Sequence, residues 1–129
     1  MVRLSVNVNK VATLRNSRGG SVPSVLQAVR VCVEAGVPGI TVHPRADERH
    51  IRSGDVREIA KELAARPDVE FNIEGDPRPD LISLVQEVRP QQCTLVPVKP
   101  GEVTSQAGWS PDTPPDAMVE IISRLHDHG

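Results

Sequence analysis

Apolar side chains recur along this chain at two spacings, and the two alternate. Leu4, Val6 and Val8 are separated by Ser5, Asn7 and Asn9, the two-residue period of a half-buried strand over residues 4–9. A loop is expected over residues 13–20. Val25, Leu26, Val29, Cys32 and Val33 then follow at helical spacing until Gly36 stops the helix. A second unit runs from a strand over residues 39–43 to Val56, Ile59, Ala60 and Leu63, with Ser53 or Asp55 able to cap the helix. The third strand, residues 69–74, meets the turn-forming Gly75-Asp76-Pro77 before the helical stripe Leu81, Ile82, Val85 and Val88. The fourth, residues 93–97, leads through a long Gly/Pro-containing loop to Thr113-Pro114-Pro115. There Thr113 offers an N-cap and the prolines suit the first turn, ahead of Met118, Ile121, Ile122 and Leu125. Strand–helix units repeated in this way predict an α/β fold with a parallel sheet and right-handed crossovers.

The faces of the strands decide between two arrangements of such a sheet. In an open doubly wound sheet helices cover both faces, so each strand is apolar on both sides. Here Ile40 and Val42 alternate with Thr41 and His43, and Phe71 and Ile73 alternate with Glu70, Asn72 and Glu74. Each strand shows one apolar side to helices and hides one polar side, the pattern of a barrel with a polar interior. A complete (β/α)8 barrel takes about 250 residues and about eight units. The 129 residues here read as one domain with about four strands and four helices, half of a TIM barrel, ending where a fifth strand would begin.

Composition narrows the function classes. A hydrophobic share of 38% with 25% charged residues is ordinary for a globular domain. No apolar run approaches the roughly 20 residues of a membrane span, and no secretory leader precedes the first strand. A net charge of -2 and a pI near 6.1 argue against a nucleic-acid binder and leave small molecules as partners. Cys32 and Cys93 lack metal-ligand spacing and read as small buried hydrophobes in a reducing compartment.

Polar residues gather where the strands end. Asn7 and Asn9 close the first, His43 the second and Glu74 the third. In parallel α/β folds the loops leaving the carboxyl ends of strands converge on one rim, so these groups mark a candidate site. Arg15, Arg49 and Arg52 read as surface charge and Trp109 as a loop anchor. His126 and His128 are expected in solvent, since an i, i+2 spacing does not place both on one helix face.

Several stretches resemble the pyridoxine 5'-phosphate synthase family. They are Val6-Asn7-Val8-Asn9-Lys10-Val11-Ala12-Thr13-Leu14-Arg15-Asn16-Ser17-Arg18-Gly19, Gly39-Ile40-Thr41-Val42-His43-Pro44-Arg45-Ala46-Asp47-Glu48-Arg49-His50-Ile51, Phe71-Asn72-Ile73-Glu74, Leu95-Val96-Pro97 and Glu102-Val103-Thr104-Ser105. The resemblance covers the N-terminal half of that family. It implies a cytoplasmic, oligomeric TIM barrel that joins 1-deoxy-D-xylulose 5-phosphate to 3-amino-2-oxopropyl phosphate, closing the pyridine ring of vitamin B6 without a metal or redox cofactor. By resemblance Glu74 is the general base and His43 the acid/base for oxygen and nitrogen protons. Asn7 and Arg18 would hold the amino-ketone phosphate, and Asn9, Lys10, Arg45, His50 and Thr104 the sugar phosphate. Many family members carry Asp-His where Asn9-Lys10 stands; Lys still serves as a point-charge partner for phosphate. A further catalytic histidine and phosphate-cradling glycines belong to the family's second half. The open outer strands of half a barrel call for a cover, which suggests a homo-oligomer. The alternatives are a self-associating half-barrel that binds phosphorylated ligands without turnover, or another TIM-barrel lyase or isomerase using the same rim.

Overall fold

The computed structural model describes residues 1–104 and 106–128; Ser105 and Gly129 lie outside the described residues. Its elements in chain order are β1 (Val6–Asn7), α1 (Asn9–Ser17), α2 (Val25–Glu34), β2 (Gly39–Val42), α3 (Ser53–Leu63), β3 (Glu70–Gly75), α4 (Pro79–Val88), β4 (Gln92–Leu95) and α5 (Pro115–His126). The strands form one parallel sheet in the order β1-β2-β3-β4, so neighbours in sequence are neighbours in space. Parallel neighbours require a crossover, and α2, α3 and α4 provide it. The α/β architecture is consistent with a partial (β/α) barrel, with the outer edges of β1 and β4 unpaired among the described residues.

The fifth helix is α1, and it replaces both the end of the expected first strand and much of the expected loop. The Asn7 carboxamide oxygen accepts a hydrogen bond from Asn9 N at 2.9 Å, so the side chain turns its own backbone out of the strand. Val8 already stands at φ -103°, ψ 11°. Asn9 and Lys10 therefore open a helix instead of closing β1, and the helix runs on through Ser17. Leu4, expected on the buried side, lies ahead of β1 and is exposed, while Val8 and Ala12 are buried.

Caps explain the other boundaries. The Ser24 hydroxyl accepts from Gln27 N at 3.1 Å and starts α2, and Gly36 at φ 84° terminates its C-terminal turn. Of the two expected caps on α3 it is Asp55 that acts, accepting from Arg52 N at 2.8 Å. Thr113 does not cap α5; Pro114 takes that position and Pro115 fits the first turn, where a missing N–H costs nothing.

The outward side chains of the sheet, Ile40, Val42, Phe71 and Ile73, bury themselves against Val29, Val56, Ile59 and Leu81 on the helices. Helix α5 docks less deeply, with Met118, Ile121 and Leu125 half-buried and Ile122 exposed. Trp109 anchors the loop before it by donating from Nε1 to the Leu95 carbonyl at 2.9 Å. No helix among the described residues is long and apolar enough to cross a membrane. At the end of β3 a Cβ on Gly75 would lie 2.7 Å from Leu81 Cδ2, and Leu81 is only 1% exposed. Gly75→Ala should therefore cost about 1–3 kcal/mol of overpacking strain, read as a lower urea midpoint. An unchanged midpoint would show that Leu81 has room to move.

Candidate active site

The polar face of the sheet carries a hydrogen-bonded row across β2, β3 and β4 that extends to Ser5, just ahead of β1. Register pairs Thr41 with Asn72, and the same face holds Ser5, Glu70, Glu74 and Thr94. Ser5 Oγ lies 2.6 Å from Thr41 Oγ1, Asn72 Nδ2 donates to Thr41 Oγ1 at 3.4 Å, and Thr94 Oγ1 donates to Asn72 Oδ1 at 3.0 Å. Thr41 and Asn72 are buried, so each leans on the others to satisfy its polar atoms. The last registered pair, Val42 with Ile73, is followed by His43 and Glu74, so alternation sends both toward this face.

His43, 8% exposed, stands just beyond β2, and its backbone N–H donates to Asn9 Oδ1 at 2.9 Å. Its ring centroid lies 6.0 Å from that of His50. His50 Nδ1 accepts from Ile51 N at 2.9 Å, which leaves the neutral ring protonated at Nε2. Arg45, 7% exposed, donates from Nη2 to the Glu102 carbonyl at 3.1 Å. Among the described residues neither His43 Nε2 nor Arg45 Nε has a hydrogen-bond partner, although both atoms are buried; Arg45 Nε lies 3.7 Å from Asp47 Oδ1, an ion pair too long for a hydrogen bond. Two orphaned polar atoms on neighbouring rim residues are what a bound polar ligand would satisfy.

Burial, then the charges of His50 and Arg45, push the His43 imidazole down from 6.5 to about 4. His50 is lowered by burial first and by Arg45 second. Burial alone raises the Glu74 carboxyl above its ordinary range. Both histidines are thus held neutral at neutral pH, and a carboxylate with raised pKa is a stronger base than an exposed one. Below pH 6.5 the unfolded chain protonates its histidines before the folded one does, so their contribution to stability falls as pH drops toward about 4. Glu74 works oppositely, its contribution being lost as pH rises above 4.5. His43→Phe should flatten the acid-side fall in the urea midpoint; a slope as steep as the parent's would rule out His43 as its source.

The expected binding residues divide in two. Asn9 binds the His43 backbone and the His50 ring faces that of His43, while Arg45 and Lys10 lie close enough that their charges bear on His43 and His50 respectively. Thr104 is exposed in the loop after β4, which crosses to the β2–α3 loop through Arg45 to the Glu102 carbonyl and Arg49 Nη1 to the Val103 carbonyl at 2.9 Å. Asn7 spends its side-chain oxygen on Asn9. Arg18 stands exposed at the end of α1, with no side-chain partner among the described residues.

Three arginines depart from, or add to, the sequence reading. Arg15, expected on the surface, is 9% exposed and forks onto Asp55, with Nη2 at 2.9 Å from Oδ2. Arg49 and Arg52 are both exposed, as expected, and Arg49 in addition bridges Asp47 and the Val103 carbonyl. Arg78 carries no sequence signal of its role; it binds Asp76 and donates to the Pro44 carbonyl at 2.6 Å, bracing the Pro44–Arg45 peptide. Only its place in Asp76-Pro77-Arg78-Pro79-Asp80 hints at a fixed position. Cys32 and Cys93 are free, and burial pushes the Cys93 thiol up to about 11. His126 and His128 are exposed, as expected.

Known proteins place this rim in context. Residues 4–129 match the family described as pyridoxal phosphate biosynthesis protein PdxJ. Over 129 residues, all of this chain, it is 50% identical to a pyridoxine 5'-phosphate synthase of Porphyromonas gingivalis, covering 52% of that protein. Identity is 49% to the protein of that name from Bacteroides fragilis and 50% to that from Christiangramia forsetii, in each case over 53% of the relative. The chain spans about half the length of the curated relatives it matches. With a family match across nearly every residue and relatives about 50% identical over the whole chain, the chain belongs to the PdxJ family of pyridoxal phosphate biosynthesis proteins.

Proposed function

We propose that this chain forms the N-terminal half of a pyridoxine 5'-phosphate synthase site, acting in the cytoplasm on 1-deoxy-D-xylulose 5-phosphate and 3-amino-2-oxopropyl phosphate. The observation that carries the reading is the pair of orphaned buried atoms, His43 Nε2 and Arg45 Nε, beside His50 on the rim that also bears Glu74. Ring closure from an amine and two carbonyl compounds needs imine formation, proton removal next to a carbonyl or imine, and loss of water. Neutral His43 offers a lone pair or a proton to oxygen and nitrogen atoms, and Glu74 removes the carbon-bound proton. Arg45 supplies charge-assisted hydrogen bonds to the sugar phosphate, joined by Asn9, Lys10, the Nε2–H of His50 and Thr104. Asn7 and Arg18 take the amino-ketone phosphate, with the amides of the Gly19-Gly20 loop as further donors. No metal is required by these roles.

Glu70 carries a second reading for the base. It occupies the same face as Glu74, four residues earlier at the amino end of β3, and its register partner Gly39 places no side chain beside it. The unpaired edges of β1 and β4 favour association with another chain, and a self-associated half-barrel would bind phosphorylated ligands without turnover. Incubating the purified chain with both substrates, and titrating it separately with inorganic phosphate, tests the proposal. Pyridine product supports the synthase reading, and phosphate binding without product supports the half-barrel. Absence of both product and phosphate binding would remove the site from this rim.

A further inference from the structure

Helix α1 grips both histidines of the rim. At its first residue Asn9 Oδ1 receives the backbone N–H of His43, and in its last turns Arg15 and Asn16 reach the backbone carbonyl of His50. The second contact is unusual in what it holds. Arg15 Nη2 donates to His50 O at 3.3 Å and Asn16 Nδ2 donates to the same oxygen at 2.9 Å. That oxygen belongs to the His50–Ile51 peptide, whose N–H donates to the imidazole Nδ1 of His50 at 2.9 Å. A peptide unit is planar, so fixing its carbonyl fixes the direction of its N–H. The donor into Nδ1 in turn excludes a proton there and sets which nitrogen of the ring carries one.

Arg15 cannot drift from this task. Its guanidinium is forked onto Asp55, itself 9% exposed, and Asp55 also receives Arg52 N at the start of α3. Ile51 is fully buried and pins the far side of the peptide in the core. The carboxylate, the guanidinium and the peptide therefore form a rigid line from α3 through α1 to the ring. A pair built only to join two helices would need no contact with His50; the exposed fork of Arg30 onto Glu62 is of that simpler kind.

We propose that Arg15 and Asn16 are positioning residues: by clamping the His50 carbonyl they orient the His50–Ile51 peptide and so hold the His50 ring in its Nε2–H form, facing His43. Neither side chain touches substrate in this role. The inference rests on the synthase reading for its purpose, which is to present the Nε2–H of His50 as a donor to phosphate, but the protonation state of the His50 ring can be read alone.

The test uses ring-nitrogen NMR on the 129-residue chain and on Arg15→Lys, Asn16→Ala and Arg30→Lys variants, each checked for folding by circular dichroism, with inorganic phosphate as the binding probe. In the parent, His50 should show an unprotonated Nδ1 and a protonated Nε2. Arg15→Lys keeps a charge against Asp55 but loses the fork, and Asn16→Ala removes the shorter bond without stranding a buried charge. Either should move the His50 ring shifts toward a mixture of the two neutral forms. Phosphate affinity should fall by about tenfold, the lower end of what metal affinity loses when a group that orients a ligating histidine is removed. Arg30→Lys should leave both readouts unmoved. Parent-like His50 shifts in folded Arg15→Lys or Asn16→Ala protein would overturn the proposal. If Arg15→Lys does not fold, Asn16→Ala decides it. Absence of phosphate binding in the parent would count against the synthase reading instead, while the ring shifts would still decide whether the clamp operates.

Discussion

If the proposed synthase reading holds, Glu74→Gln should cut pyridine formation by about 10²–10⁴ while leaving affinity for inorganic phosphate nearly unchanged. Glutamine keeps the size and hydrogen bonding of the side chain but cannot accept a proton, so only the step in which a proton leaves carbon is lost. A positioned general base typically contributes about 10²–10⁴ in rate, and the expected fall is of that order. Burial raises the Glu74 carboxyl, which strengthens it as a base in the same measure that it delays its ionisation. Glu70→Gln is the matched control on the same face of β3. A loss confined to Glu70→Gln would move the base to the amino end of the strand, beside Gly39. Full rate in both variants would dismiss a β3 carboxylate altogether.

Asp55→Ala is expected to produce the largest loss of stability, about 3–5 kcal/mol, because it leaves the Arg15 guanidinium buried with no countercharge. The same change frees Arg52 N at the start of α3, where loss of a capping carboxylate adds about 1 kcal/mol. Equilibrium urea unfolding measures the sum. The contrast is Arg57→Ala, which breaks an exposed fork onto Glu87 between α3 and α4 and should cost no more than about 1 kcal/mol. Equal losses in the two variants would mean that the Arg15–Asp55 pair is far more solvated than its burial indicates. The pair ties α1 to α3, so its loss is also expected to loosen the β2–α3 loop that carries Arg45 and His50.

These two predictions draw on different parts of the chain's legibility. Glu74 and His43 stand out in the sequence because strand alternation is a local signal: a residue's face follows from its distance in sequence to an apolar neighbour. Arg15 does not stand out, since its partner lies 40 residues away and a lone arginine is ordinarily solvated. Arg78 and Arg49 escape for the same reason. Their value lies in carbonyls of other loops, Pro44 and Val103, that only the folded chain brings within reach.

The four strand–helix units, their parallel pairing and the polar inner face were fixed by periodicity alone, because alternation of two and of 3.6 residues is written in neighbouring side chains and hydrophobic burial obeys it. Helix α1 was decided by tertiary structure. Asn9, Lys10, Thr13, Asn16 and Ser17 give it no apolar stripe, and it is held by the turn at Asn7, by buried Ala12 and by the fork of Arg15 onto Asp55. The meeting of His43, His50 and Arg45 with the loop after β4 likewise required the fold, since contacts between distant loops depend on how the sheet sets them side by side and not on any local spacing.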